Sequence, residues 1–155
     1  MRRREFITFL GGVAAGWTVP ALAQQPEHVR HIGVLMNFVE DDPESQMRLE
    51  AFRRGLEKRR WSEGRNVQID YRFSGVIVER LPALAKDLVA LQPDVILAHS
   101  TSVATALQHE TRSIPIVFVN VSDPVGEGFI NSFANPGGNM TGVQHYEARA
   151  CRQLS

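Results

Sequence analysis

The chain has 155 residues, and its seventeen Lys+Arg balance its seventeen Asp+Glu to a formal net charge of zero. That length suits one domain, and a composition 43% hydrophobic and 22% charged excludes a disordered or collagen-like chain. Zero net charge gives no electrostatic footprint for nucleic acid, the single cysteine, Cys151, excludes an internal disulfide or a Cys-rich zinc site, and no apolar run reaches the roughly 18–20 residues that span a bilayer.

The first 23 residues read as an export signal. Arg2, Arg3 and Arg4 form a cationic start, Phe6 to Val19 a short apolar stretch rich in Gly and Ala, and Ala21-Leu22-Ala23 a cleavage site that makes Gln24 the mature start. The stretch is too short to anchor, so no stable membrane attachment is expected after cleavage. Arg3-Arg4-Glu5-Phe6-Ile7 matches the core of twin-arginine signals; an ordinary secretory signal is the alternative. Without this segment the remainder is mildly acidic. The expected location is periplasmic, with residues 24–29 a linker, 30–145 one α/β lobe and 146–155 an irregular tail.

From there strand and helix patterns alternate. Ile32-Gly33-Val34-Leu35-Met36 is a continuous apolar run suited to a strand buried on both faces. Asp41-Asp42-Pro43-Glu44 opens a helix whose apolar stripe is Leu49, Phe52 and Leu56, and Gly64 closes that region. Val67, Ile69 and Tyr71 alternate with polar residues, as in a strand near a sheet edge. Leu81, Leu84, Leu88 and Leu91 predict a second helix starting near Glu79 to Leu81, since Pro82 is tolerated only in the first turn. Val95 to Ala98 is a third strand, and Ser100-Thr101-Ser102 caps a helix reaching about Glu110. Ile114 to Val119 predicts a fourth strand, Val125 to Phe133 a short helix among turns, and Met140 to Gln144 a fifth strand. The pattern implies right-handed crossovers and a mostly parallel, doubly wound sheet in the order 2-1-3-4-5, a flavodoxin-like three-layer sandwich.

Several stretches together resemble the bacterial ABC-transporter substrate-binding proteins, specifically the type I periplasmic binding proteins that include tryptophan-transporter-like binders. They are Met1-Arg2-Arg3-Arg4-Glu5-Phe6-Ile7, Ala23-Gln24-Gln25-Pro26, Phe52-Arg53-Arg54-Gly55-Leu56, Glu63-Gly64-Arg65-Asn66-Val67, Arg80-Leu81-Pro82-Ala83-Leu84-Ala85, Ile114-Pro115-Ile116-Val117-Phe118 with Ser122-Asp123-Pro124-Val125, and Asn135-Pro136-Gly137-Gly138-Asn139-Met140-Thr141-Gly142. The resemblance implies a small-molecule solute, an amino acid or similar carboxylate, and an ABC permease as partner. Family members carry a second lobe after a hinge of crossing strands. This chain matches the first lobe only, which reads as a truncated or frameshifted gene.

Ligands of open α/β sheets sit outside the carboxyl ends of the strands, where strand order reverses. Asn37 and Phe38 follow strand 1, Ser100, Thr101 and Ser102 follow strand 3, and Asn120, Ser122 and Asp123 follow strand 4. The hydroxyls and N–H groups opening the third helix suit a carboxylate; plain capping is the simpler role. Asp123 suits an ammonium group or, equally, a turn before Pro124. Phe38 suits a flat ligand or the core. His99 ranks as a supporting residue.

No cofactor, metal or nucleic acid is expected. The five histidines lack metal-ligand spacing, Gly126-Glu127-Gly128 is an incomplete dinucleotide fingerprint, and no nucleophile motif or carboxylate pair appears. The expectation is a binding protein rather than an enzyme; a non-functional gene fragment and a small exported α/β enzyme are the alternatives.

Overall fold

A computed structural model of the chain describes residues 29–144. The export signal, its cleavage point, nearly all of the linker and the tail lie outside the described residues. Within them, eight main elements follow in order: β1 (Arg30–Met36), α1 (Pro43–Glu57), β2 (Val67–Phe73), α2 (Leu81–Ala90), β3 (Val95–His99), α3 (Thr101–Glu110), β4 (Ile116–Val121) and β5 (Met140–Gln144). The strands form one sheet in the order β2-β1-β3-β4-β5, and every pairing is parallel. This is the doubly wound layout anticipated from the strand–helix alternation.

Burial follows from strand position. The apolar run of β1 is buried from Ile32 to Met36 because β1 lies between β2 and β3. β2, at the sheet edge, buries Val67 and Ile69 and exposes Gln68. Helices divide between the two faces. Leu35, Ile96, Ala98, Ile116 and Phe118 lie beneath Leu81, Ala85 and Leu88 of α2 and Val103, Ala104 and Leu107 of α3. On the other face Leu49 of α1, with half-buried Phe52 and Leu56, covers Ile32, Val34, Val67 and Ile69. Among the described residues nothing comparable covers β4 and β5 there: Val117 and Val119 are half-buried, and Val143 is 65% exposed.

Local chemistry sets the element ends. Asp42 caps α1, its Oδ1 accepting from Glu44 N at 2.8 Å and Ser45 N at 3.2 Å, with Pro43 in the first turn. Gly33 allows α2 to seat against β1, because a Cβ there would fall 2.9 Å from Leu88 Cγ.

Four expectations need correction. Residues 125–133 form turns rather than a helix. Asp123 Oδ1 takes the Gly126 N–H at 2.9 Å, Gly128 has φ +72°, and the loop drops Phe129 and Ile130 into the core instead. On α2 the buried stripe is Leu81, Ala85 and Leu88; Leu84 is half-buried and Leu91 exposed, because the helix approaches the sheet through the small Ala85. A turn of 3₁₀-helix, Val78–Arg80, precedes it. β4 begins after Pro115, which has no N–H to give a ladder, and at its other end pairs with β5 as far as Val121. Gly64 does not end α1: the helix stops at Glu57, Arg60 turns left-handed at φ 65°, and Gly64 serves the turn into β2.

Candidate functional site

Parallel strands bring the loops after β1, β3 and β4 to one edge of the sheet. The Ser100 N–H donates to the Val119 carbonyl at 3.0 Å, so the β3 exit touches the β4 exit directly. Asn37 Oδ1 lies 2.8 Å from His99 Nδ1, which ties the β1 exit to the end of β3. Asn37, Phe38, Ser100 and Asn120 thus lie along one contiguous edge.

Two backbone conformations at this edge are costly. Ser100 has φ 96° and ψ 161°, a region that L side chains rarely adopt, and Asn120 has φ 57° at an irregularity in the β4–β5 register. Such strain costs about 1–3 kcal/mol per residue and persists where the surroundings enforce it. Here it turns the chain from β3 into α3 without a linker. Ser100 Oγ accepts from Val103 N at 3.5 Å as the N-cap, so capping accounts for this hydroxyl. Thr101 is half-buried and Ser102 exposed, in the first turn of α3, where amide N–H groups and the helix dipole favour an anion.

A cluster supports the β1 exit. The Phe38 ring lies 5.0 Å, centroid to centroid, from that of His99, and the Arg48 guanidinium sits 5.7 Å over Phe38. Glu44 Oε1 accepts from Arg48 Nε at 3.1 Å. His99 is 4% exposed, and its Nε2 is buried with no hydrogen-bond partner among the described residues. Burial holds its pKa below the ordinary histidine range, and the nearby Arg48 charge lowers it further. The ring is therefore neutral near pH 7. With Asn37 Oδ1 accepting, Nδ1 carries the proton and Nε2 keeps a lone pair. His99, ranked only as supporting, and Arg48, unremarked in the sequence, thus hold Asn37 and Phe38. The signal was available: His99 continues the Val95-Leu97 alternation onto the α1 face, and Arg48 lies one turn before the inward Phe52.

Ser122 and Asp123 are exposed beyond β4. Asp123 folds back onto Gly126, the turn-forming role, and its carboxylate remains at the surface. Among the described residues no group of three or more His, Cys, Asp or Glu is arranged to hold a metal. No helix there is long and apolar enough to cross a membrane. The arrangement offers a polar rim, an anion-favouring helix start and one aromatic ring.

Comparison with known proteins follows the same line. The curated tyrosine-binding protein of Clostridioides difficile is 33% identical over 96 residues, covering 62% of this chain and 28% of its own length. Among solved structures, a ligand-free, open substrate-binding protein with adhesive properties from Clostridium difficile superposes with a TM-score of 0.70 at 29% identity, over 76% of this chain and 39% of that one. A Streptococcus pneumonia ABC domain in complex with L-Trp gives a TM-score of 0.68 at 27% identity, over 74% and 38%. A conserved domain protein from Vibrio cholerae gives 0.69 at 29% identity, over 75% and 38%. The chain therefore spans well under half the length of these relatives. The family model described as ABC transporter substrate binding protein matches residues 31–153, and the chain belongs to that family.

Proposed function

We propose that this chain binds a small carboxylate solute, an amino acid in the first instance, at the carboxyl edge of its sheet, outside the cytoplasm, for delivery to an ABC permease. The observation that carries the reading is the junction of three strand exits at one edge, fixed by strained Ser100 and Asn120 and opening onto the start of α3. The solute carboxylate lies at the N–H groups of Thr101 and Ser102. Its side chain rests on Phe38, and its ammonium group faces Asn120, Ser122 and Asp123. Relatives support an aromatic amino acid: one is named for tyrosine and another was solved with L-Trp. Residues 1–23 direct export by the twin-arginine route. Replacing Arg3 and Arg4 by lysine is expected to abolish export, and the exported form is expected to begin at Gln24.

An edge with one wall leaves half of a bound solute in water. Each lost 1.4 kcal/mol of contact weakens affinity about tenfold. Calorimetry with an amino-acid panel tests the reading on two proteins, the chain itself and a chimera carrying the remaining length of a relative. Binding is expected in the chimera and should be at least a hundredfold weaker in the chain. Ser102→Ala and Asp123→Ala should each weaken the chimera. Micromolar binding by the chain alone overturns the one-wall argument, and a chimera indifferent to both substitutions moves the site elsewhere.

A further inference from the structure

Asn37 leaves β1 with its carboxamide already oriented. Its Oδ1 lies 2.8 Å from Nδ1 of His99, and that ring is buried, with Phe38 packed 5.0 Å away centroid to centroid. The pairing decides what Asn37 offers at the edge. A neutral histidine that donates from Nδ1 occupies the amide oxygen and leaves the amide NH₂, which only donates. The opposite tautomer would accept from Nδ2 and leave the oxygen, which only accepts. Here Nδ2 has no hydrogen-bond partner among the described residues, and Asn37 is half-buried at the exit of its strand. Phe38 follows it in the chain and packs on the same imidazole, so an apolar group resting on Phe38 lies beside this donor.

We propose that Asn37, set by His99, is the specificity-determining donor of this edge and selects solutes whose side chain ends in a hydrogen-bond acceptor. The inference rests on the solute reading above and adds to it the class of side chain. The solute carboxylate has the amides that open α3, which leaves Asn37 for the other end of the molecule. With the edge empty, water satisfies the Asn37 NH₂. A side chain lying on Phe38 excludes that water, and a tip without an acceptor then leaves the donor unpaired at the cost of its desolvation. A phenol, ether or nitrile tip restores the bond. An indole N–H does not, because it meets the amide donor to donor. His99 is a positioning residue: it acts through Asn37 rather than on the solute.

The test uses the 155-residue chain in two measurements. Long-range nitrogen–proton correlation of the histidine rings at pH 7.5 should show His99 protonated at Nδ1. A proton at Nε2 would turn the Asn37 oxygen outward and overturn the proposal. Backbone amide shifts then follow titrations with phenylalanine, tyrosine and an isosteric pair, 4-cyanophenylalanine, whose nitrile accepts, and 4-ethynylphenylalanine, whose alkyne does not. The Ser102 amide reports solute at the edge. The nitrile should bind about fivefold more tightly than the alkyne, and tyrosine more tightly than phenylalanine. Asn37→Asp keeps one oxygen for His99 and turns a second outward, so it should reverse the order of the isosteric pair. His99→Asn, which puts an N–H close to where Nδ1 stood, should keep the order, and His99→Leu should erase it. Asn37 is half-buried in a loop, so Asn37→Asp retains the fold even if a His99 variant does not. If no edge amide moves with any of the four compounds, the solute site falls and this inference with it. If Ser102 moves but the nitrile and alkyne bind equally, or Asn37→Asp leaves their order unchanged, this inference alone is overturned.

Discussion

Ser100 carries two opposed contributions that can be separated. Its φ of 96° costs about 1–3 kcal/mol for a residue with a Cβ, while its hydroxyl caps α3. Glycine removes the strain and loses only a few tenths as an N-cap, whereas alanine keeps the strain and loses the cap, at about 1 kcal/mol. Urea denaturation should therefore rank Ser100→Gly above the parent by about 1 kcal/mol and Ser100→Ala below it by a similar amount. Equal stability of the two variants would show that the backbone there is unstrained. His99 gives a pH dependence of definite sign. Its folded-state pKa is lowered, chiefly by burial and then by Arg48, so the unfolded chain binds the proton more readily. The stability this group contributes is whole above the unfolded value of roughly 6.5 and is lost as pH falls below it. Thermal melts between pH 7.5 and 5 should show Tm dropping on the acid side, and His99→Gln should flatten that slope.

The packing of α2 onto β1 shows what a helical stripe in a sequence does and does not specify. Four leucines announced the helix, but the sheet receives it through Leu81, Ala85 and Leu88. Leu88→Ala should thus cost about 2–5 kcal/mol, and half-buried Leu84→Ala distinctly less. Gly33→Ala drives a Cβ to 2.9 Å from Leu88 Cγ and should cost about 1–3 kcal/mol by overpacking. In the double variant the new methyl occupies part of the space that Leu88 vacates, so a double-mutant cycle should show the two costs adding to less than their sum. The strand order, and with it the edge where the strand exits meet, was legible because continuous apolar runs, alternating strands and capping residues each report on their own neighbourhood. The missing helix at 125–133 was not, because Phe129 and Ile130 turn into the core from a loop that Asp123 and Gly128 shape. Nor was the role of His99, whose partners Asn37 and Arg48 are distant in sequence and meet it only when β1, α1 and β3 assemble.

The molecule as a whole is lopsided, and β4 reads out both sides at once. Ile116 and Phe118 point beneath α2 and α3 and are fully buried; Val117 and Val119 point to the α1 face and are half-buried. Their neighbours on β5 repeat the division, with Met140 paired to Ile116 and buried and Val143 paired to Val119 and exposed. Replacing a buried aliphatic residue by threonine places a hydroxyl where no partner exists, at about 1–3 kcal/mol on top of the lost packing. At a wetted position the same hydroxyl finds water, and such surface changes usually stay within about 0.5 kcal/mol. Val117→Thr, Val119→Thr and Val143→Thr should therefore leave the urea midpoint of the isolated chain nearly unchanged, singly and together, while Ile116→Thr lowers it steeply. The triple variant should also be the more soluble protein, since it breaks up an exposed apolar surface of the kind that drives association. A large cost in the isolated chain would mean that the face is already covered, and the one-helix description of that layer would be wrong.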